Sequence, residues 1–345
     1  MAITRGEKKY ANHIWFGNTI NLKKLARKIL STYGITLILL AMCVAMSIMT
    51  SAFYKPQNLI NILRQVSVIG TVAFGATMVI ITGGIDLSAG SIVALVGVIV
   101  ASLVRATPGS ILGGRFIVVG LVAGLAVGLI AGLMTGSLIA KTGIAPFIAT
   151  LGMMQIARGI ALIYSGGRPI DRLSENFLTI GSNSVWFIPV PVIVWLGMAA
   201  ISSIILKKTR LGKYLYAVGG SEQAANICGI NISRVKIFVY CYAGAMAAVS
   251  AIVLTSRVSS GNPTAGISYE LDAISAAVIG GTSLAGGIGS IFGTIIGALI
   301  MGVLNNGLTL LNVSPYLQTI VKGSIIIGAV VADAMRHKRS GGTSR

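Results

Sequence analysis

The chain has 345 residues, of which 54% are hydrophobic and 10% charged, against about 45–50% apolar and about 25% charged in a typical soluble domain. So little charge cannot cover a water-soluble globule of this length, which excludes a soluble enzyme or binding module and leaves a bilayer-embedded chain. Lys and Arg number 27 against 8 Asp and Glu, a net charge of +19, but they fall in short hydrophilic segments between long apolar runs, which excludes a nucleic-acid-binding stripe.

In chain order, a basic tail at 1–30 carries Arg5, Lys8, Lys9, Lys23, Lys24, Arg27 and Lys28. Apolar runs follow at 35–53 and 66–82, and then a glycine-rich break, Gly83-Gly84-Ile85-Asp86-Leu87-Ser88-Ala89-Gly90. Runs at 88–104, 116–140, 145–164 and 189–206 lead to a hydrophilic loop at 207–236. Beyond it lie runs at 237–256, 272–285, 289–311 and 316–333, and a basic tail at 336–345. About 20 apolar residues cross a bilayer as a helix. The reading is an all-α integral membrane protein with ten spans, its transmembrane domain covering 31–335. The first apolar run begins too late for a cleaved secretory signal and is read as a retained helix.

Basic residues accumulate in cytoplasmic loops. With the N-terminus inside, ten spans place 18 of the 27 basic residues inside: the tail, Lys141, six in the 207–236 loop, and Arg336, Lys338, Arg339 and Arg345. Seven fall outside (Lys55, Arg64, Arg105, Arg115, Arg168, Arg172 and Arg257), while Arg158 and Lys322 lie within or beside spans. Both termini and the 207–236 loop are therefore expected to be cytoplasmic.

A second break, Gly280-Gly281-Thr282-Ser283-Leu284-Ala285-Gly286-Gly287, matches the first at an offset of 197. Gly120, Gly124 and Gly128 match Gly289, Gly293 and Gly297 at an offset of 169, as does Pro146-Phe147-Ile148-Ala149-Thr150 against Pro315-Tyr316-Leu317-Gln318-Thr319. The second half is shorter by about one span with its loop, so the helices after the two breaks are expected to run in opposite directions, as in inverted repeats. Consecutive glycines free backbone groups, tolerated at membrane depth only inside protein or along a cavity. Gly83, Gly84, Gly280 and Gly281, with Asp86, Ser88 and Ser283, are thus candidate pathway elements. By contrast, glycine at every fourth position from 120 to 136 makes a helix face for close packing.

No residue set supports bound chemistry. Cys43, Cys228 and Cys241 lack metal-ligand spacing, two histidines do not repair that, and no phosphate-binding or dinucleotide motif is present, so no cofactor or metal is expected. Intramembrane acids that a gradient-driven carrier would use reduce to Asp86, which either caps the following helix or faces the pathway, and Asp272, beside Glu270 and read as an interfacial helix start. Arg158 reads as a structural pairing. Asn305 and Asn306 suit either a hydroxylated solute or a neighbouring helix. Within the 207–236 loop, Ser221-Glu222-Gln223-Ala224-Ala225 reads as an N-capped short helix closed by Gly229, a docking element.

Thr209-Arg210-Leu211-Gly212, Ala217-Val218-Gly219-Gly220-Ser221-Glu222-Gln223-Ala224-Ala225 and Gly229-Ile230, with both breaks and Tyr269-Glu270-Leu271-Asp272-Ala273-Ile274, closely resemble the permease subunits of bacterial ABC importers for ribose and related monosaccharides, in the branched-chain amino acid/ribose permease superfamily. The resemblance runs from about 35 to 335. It departs at Ser221, where the family commonly has Asn; serine also caps a helix. It implies a permease dimer, of identical or paralogous subunits, in the lipid bilayer of the bacterial inner membrane. Cytoplasmic ATP-hydrolysing subunits and an external sugar-binding protein are the implied partners, and residues 219 to 229 the coupling helix. The expected function is inward movement of a monosaccharide, with ribose as the expected solute and no chemistry on this chain. A gradient-driven carrier of a small polar solute is the rival reading, and a membrane-embedded enzyme the third.

Overall fold

The computed structural model describes residues 22–105 and 113–341. Residues 1–21 of the basic tail and 342–345 of the C-terminal one lie outside the described residues. The helices are α1 (Leu22–Met49), α2 (Pro56–Ile81), α3 (Ala89–Leu103), α4 (Gly113–Thr142), α5 (Pro146–Ser165) and α6 (Glu175–Ser182), then α7 (Val190–Lys208), α8 (Arg210–Gly220) and α9 (Glu222–Ile227), and finally α10 (Ile232–Val258), α11 (Tyr269–Ile279), α12 (Ile291–Leu310) and α13 (Pro315–Gly341). A small hairpin, β1 (Ser184–Val185) with β2 (Ile188–Pro189), precedes α7.

Ten of these helices, α1 to α5, α7 and α10 to α13, answer to the ten apolar stretches. Seven are long and apolar enough to cross a membrane unaided, whereas α3 and the apolar part of α1 are shorter. The ends differ from expectation for local reasons. Proline at the first turn starts α2 ten residues ahead of its apolar run, because a fixed φ and a missing N–H suit that position. Helix α1 begins inside the segment read as a tail, and α13 continues past residue 335. The stretch 272–285 is not one helix: α11 starts earlier and stops at Ile279, where Gly280 and then Gly281 at φ 90° turn the chain.

Helix α2 is the central post, its apolar window 89% buried, while that of α13 is 0% buried. Phe74 stacks on Trp195 of α7, with ring centroids 6.2 Å apart. Helix α4 packs extensively on α10. A β-carbon at Gly128 or Gly132 would overlap the carbonyls of Gly244 or Tyr240, so the glycine stripe lets two backbones touch.

Contacts between helices give their directions. Helix α10 is antiparallel to α2, since Gly75 meets Ala243 while Ser250 donates to the Val68 carbonyl. Helix α12 is likewise antiparallel to α2, through Thr77–Thr294 and Asn58–Asn306. Helices α3 and α12, which follow the two breaks, therefore run the same way, because α3 lies parallel to α10 (Gly97 at Thr255, Gly261 at Ala101). The expected opposition across the offset of 197 is thus corrected. It exists elsewhere: α4 runs against α10 and hence against α12, α5 follows α3, and α13 follows α11 through Asp272–Lys322 and Ser283–Asp333. Helices α2 to α5 and α10 to α13 are matched in order and opposite in direction, and the offset of 169 joins true equivalents, α4 with α12 and α5 with α13. The two breaks resemble each other without occupying equivalent places.

Candidate functional site

Helices α3 and α11 are half-length, about 22 and 16 Å at 1.5 Å per residue. Each is continued toward one end of the bundle by non-helical chain. Their N-termini meet: a β-carbon at Gly90 would overlap the Glu270 carboxylate and the Gly266 carbonyl, and Gly266 (φ 71°) lies against the Gly90 backbone. The chain leading into α11 is held by Arg158 of α5, whose Nη1 donates to the carbonyls of Pro263 (2.7 Å) and Ala265 (2.8 Å). These bonds satisfy carbonyls that a helix would otherwise have used. The chain leading into α3 is held by Asp86, buried at 5% exposure, whose Oδ1 accepts from the Ser88 N–H (2.8 Å) and hydroxyl (2.6 Å). Asp86 and Ser88 are therefore bonded to each other in the turn before α3.

Both breaks come together with the end of α8. The Gly287 N–H donates to the Ile81 carbonyl at 2.8 Å. A β-carbon at Gly219 would overlap that same carbonyl and lie 2.6 Å from the Gly287 nitrogen; at Gly286 it would lie 2.7 Å from the Gly219 carbonyl and 3.2 Å from the Gly83 nitrogen. Gly83, Gly281, Gly286 and Gly287 all have positive φ, from 72° to 90°, which only glycine adopts without strain. Gly84 faces the buried hydroxyl of Tyr240, which has no hydrogen-bond partner among the described residues. Tyr216 of α8 donates to the Gly289 carbonyl at 2.8 Å. Burial raises the pKa of its phenol, which keeps the proton on this donor.

Gly219 and Gly220, expected to open the coupling helix at 219 to 229, instead form the last turn of α8. Ser221 N-caps α9 by accepting from the Ala224 N–H (3.2 Å), Gly229 turns the chain at φ 79°, and the Ile230 N–H returns to the Ala225 carbonyl. Ala225 is buried beneath the helix, while Ile227 is 87% exposed at its tip. Glu222 pairs with Lys236 at 2.7 Å. A cavity of about 100 Å³ lies between this pair and Thr82, Gly83 and Gly84.

One further site differs from expectation, and at Asn306 one of two open readings is realised. Asp272, read as an interfacial helix start, does lie in the first turn of α11 but is 4% exposed, and its Oδ2 accepts from Lys322 of α13 at 3.0 Å. Asn306 exchanges two hydrogen bonds with Asn58 at 2.8 and 3.0 Å, so it joins α12 to α2, whereas Asn305 is buried and its Oδ1 has no partner among the described residues. Ser283 donates to Asp333 of α13 (3.0 Å), which also accepts from the Leu284 N–H. Three participants were missed in the sequence. Lys322 and Asp333 stood out only as charges in an apolar run, and their partners lie 50 and 49 to 50 residues away. Ile227 was legible as a lone large apolar residue at the end of a polar helix.

Fold and site together define a multi-pass membrane permease: half-length helices inside the bundle, and at one end a helix, α8, that touches both breaks and carries the short capped α9. The chain belongs to the family described as branched-chain amino acid transport system, permease component, whose model matches residues 58–330. It is 50% identical over 297 residues to the ribose import permease protein RbsC of Bacillus subtilis, covering 86% of this chain and 90% of that one. It is 37% identical over 311 residues to the L-arabinose transport system permease protein AraH of Escherichia coli, covering 90% and 93%. It is 35% identical over 330 residues to the probable ABC transporter permease protein YphD of Escherichia coli, covering 95% and 97%. No solved structure matches. The protein is accordingly an inner-membrane permease subunit of an ABC importer, working with ATPase and substrate-binding partners, and not an enzyme.

Proposed function

We propose that this permease carries ribose inward, with α9 docking into the ATPase on the cytoplasmic side. The similarity to ribose permeases at half identity supports the solute. The observation that carries the coupling role is the contact of Gly219 and Tyr216 with both glycine breaks: a push on α9 moves α8, and α8 rests on Ile81, Gly287 and Gly289. The basic loop at 207–236 and the basic termini support placing all three in the cytoplasm. Gly83, Gly84, Gly280 and Gly281 then act as the flexible ends of pathway helices. Two permease subunits, identical or paralogous, form the pair, with the α11–α13 face toward the partner, because Lys322 at membrane depth is too costly to leave against lipid.

Gly220→Trp and Glu222→Lys test the docking. A β-carbon at Gly220 meets nothing within 4 Å, so a side chain there starts into open space, where a large one obstructs a partner. In reconstituted vesicles both variants should insert normally, while uptake falls together with the ATP hydrolysis that loaded binding protein stimulates. Full uptake by both would rule out docking through α9.

A further inference from the structure

We propose that the cavity between the first turn of α11 and the outer part of α13 is a binding station for the monosaccharide within the membrane, with Asp272 and Lys322 bonding its hydroxyls. This rests on the reading of the protein as a sugar permease and adds where the solute is held. The cavity measures about 370 Å³, within the roughly 300 to 1,000 Å³ of small-ligand sites. Its lining mixes polar side chains, Asp272, Gln318, Thr319 and Lys322, with apolar ones, Leu271 and Ile326. A pentose in its ring form likewise offers both hydroxyls and C–H groups.

Charge selects the class of ligand. Asp272 and Lys322 pair at 3.0 Å with side chains 5% and 25% exposed, so the wall presents no net charge and favours neither anion nor cation. Their mutual bond uses one of three ammonium hydrogens and one of about four carboxylate acceptor positions. The remaining donors and acceptors suit hydroxyls, each of which both gives and takes a hydrogen bond. Two neighbours are anchored to the backbone: the Thr319 hydroxyl donates to the Pro315 carbonyl, and the Gln318 amide donates one of its two N–H hydrogens to the Val313 carbonyl. Both keep an oxygen free to accept.

Depth fits a station on a pathway. Lys322 lies seven residues along α13, about 10 Å from its start, and Asp272 belongs to the half-helix whose N-terminus meets that of α3 inside the bundle. A charged pair at this depth facing lipid is expensive, whereas facing a water-filled passage it is ordinary. The same α13 reaches the second break through Asp333, so one helix connects the station to the segment that α8 touches.

Two measurements in vesicles holding the assembled importer test the station against a structural clamp between α11 and α13. Asp272→Asn and the exchanged pair Asp272→Lys with Lys322→Asp should each lower ribose uptake at least tenfold at equal membrane level. A clamp alone would let the exchanged pair restore uptake to near the unmodified rate, which would overturn the proposal. In a background without Cys43, Cys228 and Cys241, a Thr319→Cys thiol should be modified at least threefold more slowly by a small water-soluble reagent when ribose is being carried. Equal rates with and without ribose would also overturn it. If the unmodified importer takes up no monosaccharide, the transport reading itself fails. If it takes up ribose and the variants do so equally well, only the station fails.

Discussion

Replacing Gly219 by Ala inserts one methyl group where α8 lies against both breaks. The β-carbon would overlap the Ile81 carbonyl and stand 2.6 Å from the Gly287 nitrogen. Both obstacles are backbone, so neither swings aside as a side chain tip does, and α8 is displaced. Overpacking of this kind costs about 1–3 kcal/mol. That penalty falls only on conformations in which α8 is seated, and as a coupling energy 1–3 kcal/mol changes an equilibrium about 5- to 150-fold. Ribose uptake by reconstituted Gly219→Ala is therefore expected to drop by a factor in that range. The control is Gly220→Ala, one residue on, where the new methyl meets nothing within 4 Å and the last turn of α8 gains the helix preference of Ala over Gly, worth about 0.5–1 kcal/mol. Its uptake should stay within twofold of the unmodified protein. Equal uptake by the two variants would refute the view that α8 acts through this contact.

Four further outcomes follow from the same contacts. Gly132→Ala, whose methyl would overlap the Tyr240 carbonyl in the α4–α10 seam, should destabilise the purified permease by about 1–3 kcal/mol, while Gly159→Ala on the open face of α5 should not lower its unfolding temperature. Ser221→Ala removes the α9 cap and should cost about 0.5–2 kcal/mol of local stability, read as faster hydrogen exchange at Ala224 and Ala225. Breaking the half-exposed Glu222–Lys236 pair with Lys236→Met should change stability by no more than about 1 kcal/mol, so unimpaired folding by thermal assay is expected, in contrast to loss of transport by Glu222→Lys. Cys228 is naturally exposed and should react with an impermeant thiol reagent only from the cytoplasmic side, and a cysteine at Trp186, 91% exposed at the hairpin tip, only from outside; Ser174 is a poorer probe because its hydroxyl is buried.

What the sequence revealed depended on the range of the physics involved. Apolar runs locate spans because the bilayer acts on each run separately, and the Ser221 cap was legible because a cap is a contract between neighbours three residues apart. Helix ends were not legible where polar turns extend a helix past its apolar part, as in α2, or where Gly280 stops one inside it, as in α11. The repeat was half readable. The glycines of α4 and α12 match because both helices pack closely against a neighbour's backbone, whereas the two breaks match in composition alone: the first has positive φ only at Gly83, the second at Gly281, Gly286 and Gly287, and none of these positions align at the offset of 197. Asp272 was misplaced because its burial is set by α13, and Lys322 lies 50 residues downstream. Asn306 had two open readings, and only the position of Asn58, 248 residues away, shows which neighbour it bonds.

ATP hydrolysis, and not an ion gradient, is the expected source of energy for uptake. Sealed vesicles containing the permease with its ATPase and loaded binding protein should accumulate labelled ribose when ATP is supplied on the α9 side, and should accumulate none under an imposed proton or sodium gradient without ATP. Accumulation driven by either gradient in the absence of ATP would contradict it, and would make the buried Asp272–Lys322 pair part of an ion-coupled carrier.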